Sequence, residues 1–134
     1  MAGSFSDYLE NALLNQLFRG SSYSFPGTLY VGLYTAAPTD AGGGTEVSGN
    51  GYARVAVTAN TSNWANSTAG ATSNSNAITF PQASGSWGTV VALGIFDAST
   101  SGNLLAWADL TTNKLVGNGD TPSFAAGDLD VTLD

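Results

Sequence analysis

Nucleophilic side chains are abundant in this sequence, but the bases that would activate them are missing. Serine and threonine are plentiful, whereas histidine and cysteine are both absent. A serine or cysteine nucleophile is usually activated by histidine, so neither a Ser-His nor a Cys-His arrangement can form. A Ser-Lys pair would have to use Lys114, the single lysine. Lys114 lies in a predicted strand beside a turn, where an edge lysine that discourages strand aggregation is the simpler interpretation. We therefore expect that this protein is not an enzyme.

Acidic side chains near the end of the chain offer a second kind of chemistry. Asp128, Asp130 and Asp134 share one face of the last predicted strand. Paired carboxylates could hydrolyse a glycan, and a carboxylate cluster could bind calcium. These aspartates alternate with apolar residues, so a solvated strand face explains them fully, and the spacing lacks the Asp-x-Asp-x-Asp-Gly pattern of a calcium loop. We expect no catalytic residue and no cofactor, with calcium at these aspartates as the open alternative.

Charged side chains are scarce, and most of them are acidic. Only 10% of the 134 residues are charged, and three basic residues stand against ten acidic ones, for a net charge of −7. A nucleic-acid partner requires a basic surface that neutralises phosphates, so we expect no nucleic-acid binding. Apolar residues make up 43% of the chain, which is ample for a packed core. This length fits a single domain, 1–134.

The beginning of the chain, 1–20, has helical spacing. Ser4 or Ser6 can cap the helix, and Gly20 follows its end. The apolar residues at helical spacing are Leu9, Ala12, Leu13, Leu14, Leu17 and Phe18. So wide an apolar face must be covered, and we expect the chain's own sheet to cover it, with a neighbouring subunit as the alternative. No apolar run reaches the roughly 20 residues of a membrane helix, so we expect no membrane partner. The first residues also lack the pattern of a signal peptide.

From residue 28 onward the period changes to two. The predicted strands are 28–35, 52–58, 77–80, 89–97, 103–109, 114–116, 122–126 and 129–133. Segment 89–97 is apolar on both faces, so it predicts a central strand that is covered on both sides. We therefore predict a mainly β domain over 28–134, an antiparallel β-sandwich or barrel. It would be jelly-roll-like, with about seven or eight strands, and would follow one N-terminal α-helix.

Two long polar segments, 36–51 and 61–76, interrupt the strands. Loops of this length in a small domain are usually functional or mobile. Trp64 stands alone in the second segment, and exposed aromatic side chains often anchor interfaces. The candidate partner-binding residues are Trp64, Asp40, Gly43, Glu46, Leu13 and Leu17.

Several segments together resemble a family of small phage and prophage virion proteins, often labelled tail-fibre-like. They are SDYLEN (6–11), LYVGLYT (29–35), APTD (37–40), EVSG (46–49), GYAR (51–54), WGT (87–89), GIFD (94–97) and FAAGDL (124–129). The resemblance covers nearly the whole chain. It implies a virion component made in the bacterial host cytoplasm, and it brings no catalytic residues with it.

The physical features favour one role within a virion over others. Neither a repeat nor a heptad pattern predicts a fibre shaft. A β-domain with long neutral loops suits a capsid cement or decoration protein, whose modest contacts with the major capsid protein are multiplied over many copies. A tail or fibre-base component is the alternative, with other virion proteins as partners, and a sugar-binding module is the second alternative. We expect a homo-oligomer, a dimer or trimer, on the capsid surface or in the tail.

Overall fold

The computed structural model describes residues 3–133, which form one helix and ten strands. The elements are β1 (Gly3–Phe5), α1 (Asp7–Arg19), β2 (Thr28–Ala36), β3 (Thr45–Glu46), β4 (Val55–Thr58), β5 (Ala71–Ser73), β6 (Ile78–Thr79), β7 (Gly88–Phe96), β8 (Leu104–Val116), β9 (Ser123–Phe124) and β10 (Asp130–Thr132). The fold is mainly β with one N-terminal helix, as the sequence predicts.

Six strands form one antiparallel sheet. Their order is β1-β8-β7-β2-β3, and β4 pairs with the other half of β2. Strand β7 pairs with β2 on one side and with β8 on the other, so it is central. The sheet has free edges at β1 and at β3 and β4, and it does not close into a barrel. The sequence predicted either a β-sandwich or a barrel. The structure has open, sandwich-like sheets and is not a barrel.

Strand β7 is buried on both faces, which confirms the prediction from its apolar sequence. Val90, Leu93 and Ile95 contribute to the main core, whereas Ala92 and Phe96 contribute to a second cluster with Tyr34. The pairing with β8 shifts register between Val90 and Ala92, so the strict alternation of the faces is interrupted there.

Two small antiparallel sheets complete the main core. Strand β10 pairs with β5, and β6 pairs with β9. The segments that carry them place Ile78, Phe80 and Leu129 against the same face of the large sheet that holds Val31 and Leu33. Each large side chain that is fully buried in this way stabilises the fold by about 1.5–3 kcal/mol.

Several strand limits differ from the sequence prediction. Segments 103–109 and 114–116 are parts of one strand, β8, whose residues 110–113 bulge out of the ladder with β7. Strands β3 and β5 lie inside the two segments that were predicted to be loops. The structure therefore has ten strands, more than the seven or eight that the sequence suggests.

Helix α1 begins and ends where the sequence predicted, but the sheet does not cover its whole apolar face. Ser6 is the N-cap, and its hydroxyl accepts a hydrogen bond from the Leu9 amide at 3.2 Å. Gly20 ends the helix in the left-handed conformation, with φ 67°. No residue of α1 is buried, and Leu17 and Phe18 are each 75% exposed. The prediction that the chain's own sheet covers the apolar face holds only in part: Leu9, Ala12 and Leu13 are half-buried, whereas Leu14, Leu17 and Phe18 are exposed.

The start of the helix is tied firmly to the sheet. The Ser6 hydroxyl donates to the Leu104 carbonyl, and the Ser6 amide donates to the Leu105 carbonyl at 2.8 Å. No comparable hydrogen bond to the sheet is found along the rest of α1 in residues 3–133. The helix therefore has a fixed N-terminus and a projecting C-terminal half. At 13 residues it is too short to cross a membrane, and no helix in the described range qualifies.

Asn74 fastens the C-terminal segment to segment 61–76. Its side chain is buried, and Oδ1 accepts a hydrogen bond from the Leu129 amide at 2.9 Å. Its Nδ2 donates to the carbonyls of Asn76 at 2.8 Å and Ala125 at 2.9 Å. These three bonds satisfy every polar atom of a side chain that has no access to water.

We predict that Asn74→Ala lowers the free energy of unfolding by about 2–4 kcal/mol, because it leaves a buried amide and two carbonyls without partners. Urea unfolding followed by tryptophan fluorescence measures the change. The control is Asn113→Ala, at an exposed position, which should change stability by less than about 0.5 kcal/mol. Equal effects of the two substitutions would contradict this account of Asn74.

Candidate interaction site

The predicted contact residues Asp40 and Gly43 lie in one loop but in different surroundings. The Asp40 carboxylate accepts a hydrogen bond from Trp107 Nε1 at 2.8 Å, and its carbonyl accepts one from the Asp7 amide at 2.9 Å. Asp40 thereby joins segment 36–51 to both β8 and α1. Gly43 lies at the exposed tip, with φ 79° and open space around its Cα. The tip is therefore free for contact, while the Asp40 carboxylate is already engaged.

Glu46 accepts hydrogen bonds from two buried side chains. Its carboxylate accepts hydrogen bonds from Arg54 Nε and from one terminal guanidinium nitrogen. Both N···O distances are 2.8 Å, and the two bonds form a bidentate ion pair. Tyr52 donates its hydroxyl to the same carboxylate at 2.7 Å and accepts the Leu33 amide at 3.0 Å. Bidentate geometry makes this a strong, directional pair. Glu46 is thus used inside the chain.

Arg54 connects three further parts of the fold. Its guanidinium lies over the Phe96 ring, 3.4 Å from the ring centroid. The remaining terminal nitrogen donates to the carbonyls of Ala98 at 2.7 Å and Ser101 at 2.9 Å, in the turn between β7 and β8. The side chain is only 7% exposed. The guanidinium therefore packs against the second buried cluster, which contains Phe96, and does not extend into water.

The environment of this network shifts the tyrosine and arginine pKa values. Burial, followed by the hydrogen bond to Glu46, raises the pKa of Tyr52 well above its ordinary value. Burial is also the main cause that raises the pKa of Tyr34, to about 12, with Glu46 adding to the effect and Arg54 opposing it. The hydrogen bonds and charge of Glu46 outweigh desolvation and raise the pKa of Arg54. Arg54 stays protonated, and both phenols stay neutral, throughout the physiological range.

The aspartates considered for calcium do not form a cluster within the described residues. Asp128 accepts the Ala125 amide at 3.1 Å within a turn, and Asp130 lies in β10. Asp134 lies outside the range that the structure describes. No group of three carboxylates converges anywhere in residues 3–133.

Trp64 packs against the main core at the edge of a groove. Its ring is half-buried, and its indole Nε1 is shielded from water without a hydrogen-bond partner. The groove has a volume of about 660 Å³ and runs between the segment around Trp64, the end of the large sheet and the first turn of α1. We call it the Trp64 groove; its apolar lining is Phe5, Leu9, Leu29, Trp64, Ile95, Leu105, Ala106 and Val131.

Leu13 and Leu17, the helix residues that were predicted to contact a partner, line a second groove. This groove lies between α1 and residues 132–133 of the chain. Leu13 is half-buried, whereas Leu17 is exposed. Leu14 and Leu133 line the same groove, and Phe5 borders both this groove and the Trp64 groove. The two apolar grooves are therefore neighbours along one flank of α1.

Sequence reasoning missed the burial of Arg54 and the Trp64 groove. The sequence did offer one signal for Arg54. It is one of only three basic residues, and it lies two positions after Tyr52, at the start of a predicted strand. The groove as a whole had no sequence signal, because its lining comes from six separate parts of the chain.

A β-domain whose central strand is buried on both faces, with exposed apolar side chains gathered on and around a helix, defines a class of protein that presents apolar surfaces. A family model described as podophage GP4 fiber I protein gp80 matches residues 4–132. The chain belongs to this family, which confirms the resemblance to tail-fibre-like phage proteins. No curated protein sequence matches the chain.

We predict that Glu46→Gln lowers the free energy of unfolding by about 2–3 kcal/mol, because it leaves the Arg54 charge buried without its counter-ion. The Glu46 side chain is 25% exposed, so the loss should fall below that of a fully buried pair. Chemical unfolding at neutral pH measures it. Glu10→Gln, at the other glutamate, is exposed and should change stability by less than about 1 kcal/mol. The prediction would be wrong if Glu46→Gln lowered the free energy of unfolding no more than Glu10→Gln does.

We predict that alkaline pH destabilises the protein through Tyr34. The folded state raises its pKa from 10 to about 12, so the contribution to stability is complete below pH 10 and is lost as pH rises toward 12. Between pH 8 and 11 the loss should be about 1 kcal/mol from this residue alone. Tyr34→Phe should make the decline shallower without abolishing it, since the pKa of Tyr52 is raised too. Identical pH slopes for both proteins would argue against it.

Proposed function

We propose that this chain is a non-enzymatic structural component of a phage tail fibre or of the base of such a fibre. The observation that carries the proposal is the family match over residues 4–132, since the family's description names a fibre protein. The match supports the tail alternative better than the role of capsid cement, which composition and loop length alone had favoured.

The side chains support a role that depends on contact and not on turnover. Catalysis requires a nucleophile or base with a partner in reach. Arg54 and Glu46 are paired with each other, and the carboxylates of Asp40 and Asp128 accept hydrogen bonds from Trp107 and from the Ala125 amide. Each of these groups already has a structural task, so none of them is available as an acid or a base.

The partners of the proposed component are other virion proteins in the tail. The exposed tip at Gly43 and the apolar flank of α1 are the surfaces that remain open for them. The chain would be made in the bacterial cytoplasm and then incorporated into the particle. Because only 10% of the residues are charged, contacts with partners should be dominated by apolar and neutral polar groups.

Copy number in purified particles distinguishes a fibre component from a capsid cement protein. We expect this chain at a low number per particle, on the order of tens at most, because a particle has one tail with a limited set of fibres. Quantitative mass spectrometry against the major capsid protein gives the ratio, and gold-labelled antibody locates the chain by electron microscopy.

The expected result is a low ratio with label at the tail. On the order of hundreds of copies spread over the shell would overturn the fibre assignment and favour the cement role. A chain that is absent from purified particles would exclude a virion component of either kind. A particle that lacks the chain and still adsorbs normally to its host would contradict a part in the fibre.

A further inference from the structure

The large exposed apolar side chains gather around α1. In the described range they are Tyr8, Leu14, Leu17, Phe18, Phe25, Leu115 and Leu133. All but Leu115 belong to α1, to the segment just after it or to the C-terminal end beside it. Tyr8 and Phe25 contact Tyr23 edge-on, with ring centroids 6.2 and 4.9 Å apart, and Leu133 borders the groove with Leu14 and Leu17. These side chains form two groups on different sides of α1: Tyr8 and Phe25 with Tyr23, and a patch of Leu14, Leu17 and Leu133.

The projecting half of α1 ends in a knob made of Leu14, Leu17 and Phe18, which are 55%, 75% and 75% exposed. The Trp64 groove begins at the other end of the same helix, where Leu9 forms part of its lining. Leu9 and Leu17 are eight residues apart, which corresponds to about 12 Å along a helix axis. Knob and groove therefore lie side by side on one flank of the molecule.

We propose that this flank binds a second copy of the chain, with each knob inserted into the Trp64 groove of the other copy. A two-fold axis across α1 would place the two helices antiparallel. The C-terminal half of each helix would then lie over the N-terminal half of the other. Such an interface is isologous, so one surface supplies both the knob and the receptor that fits it.

The sizes of the surfaces match this occupant. Complete aromatic and leucine side chains have accessible areas on the order of 200 Å². At the observed exposures, Leu14, Leu17, Phe18 and Leu133 offer roughly 500 Å² of apolar area per copy, and the lining of the Trp64 groove adds to it, which approaches the ~800 Å² per partner of a standard interface. The groove, at about 660 Å³, is large enough for Leu17 and Phe18 together.

The charges also favour an antiparallel pair of identical helices. Asp7 and Glu10 lie in the first turn of α1, and Arg19 lies in the last. Antiparallel packing brings the basic end of each helix to the acidic end of the other, and it opposes the two helix dipoles. The knob itself carries no charge, so two chains of net charge −7 meet where repulsion is smallest.

The test is the oligomeric state of the full chain in solution. Sedimentation equilibrium should give twice the chain mass of 13.6 kDa. Leu17→Glu with Phe18→Glu should weaken dimerisation by at least 100-fold and yield a monomer with unchanged circular dichroism, because both positions are exposed in the single chain. Leu115→Glu is the matched control: it is 69% exposed but lies outside the patch, and it should leave the dimer intact.

A second variant tests the knob-and-groove pairing itself. Ala65→Trp adds bulk at an exposed position of the groove lining and should also give a monomer. An equimolar mixture of this variant with the Leu17→Glu, Phe18→Glu variant should form a heterodimer, since one knob and one groove remain intact. Failure of the mixture to associate would overturn the pairing.

A wild-type chain that stays monomeric at 100 μM would overturn the proposal and leave the flank of α1 to a different virion protein. A trimer, or a dimer that the Leu17→Glu, Phe18→Glu variant leaves intact, would overturn the two-fold arrangement. None of these outcomes bears on whether the chain is located in the tail, so the two proposals fail separately.

Discussion

The arrangement of the sheet face that holds Tyr34, Ala92 and Phe96 depends on the interactions of the buried Arg54 guanidinium. The guanidinium holds the Glu46 carboxylate, lies over Phe96 and binds the carbonyls of Ala98 and Ser101. A charge that is removed from water costs several kcal/mol unless a counter-ion and hydrogen bonds compensate for the lost hydration. The chain meets this requirement by bringing segment 36–51 and the turn between β7 and β8 to the same point. The position of both loops thus follows from one side chain.

Strand β7 is buried on both faces, whereas α1 carries most of the large apolar side chains that remain exposed in the described residues. Ser6 holds the start of the helix on β8, but nothing within residues 3–133 covers Leu17 and Phe18. Contiguous exposed apolar patches of several hundred Å² often mark a contact surface. A fibre protein has a use for such a surface, because fibres are assembled from many chains. Fold, composition and family membership therefore point to function by assembly.

The sequence was most informative where a local rule decides the structure. Ser6 and Gly20 set the ends of α1 through capping, and the apolar run in β7 predicted its central place. It was least informative where the outcome depends on distant residues. The pairing of β5 with β10 and the burial of Arg54 both join segments more than 40 residues apart. The exposure of the second half of α1 depends on where the helix lies against the sheet. The sequence singled out Trp64, Leu13 and Leu17, but it did not predict the grooves that they line.

The central claim is that the flank of α1 is an assembly surface. A cryo-EM reconstruction of the phage tail tests it most directly, because the 13-residue helix can be located in a map of moderate resolution. The account predicts that another copy of the chain covers Leu14, Leu17 and Phe18 in the assembled fibre. A fibre in which these three side chains still face solvent would contradict it.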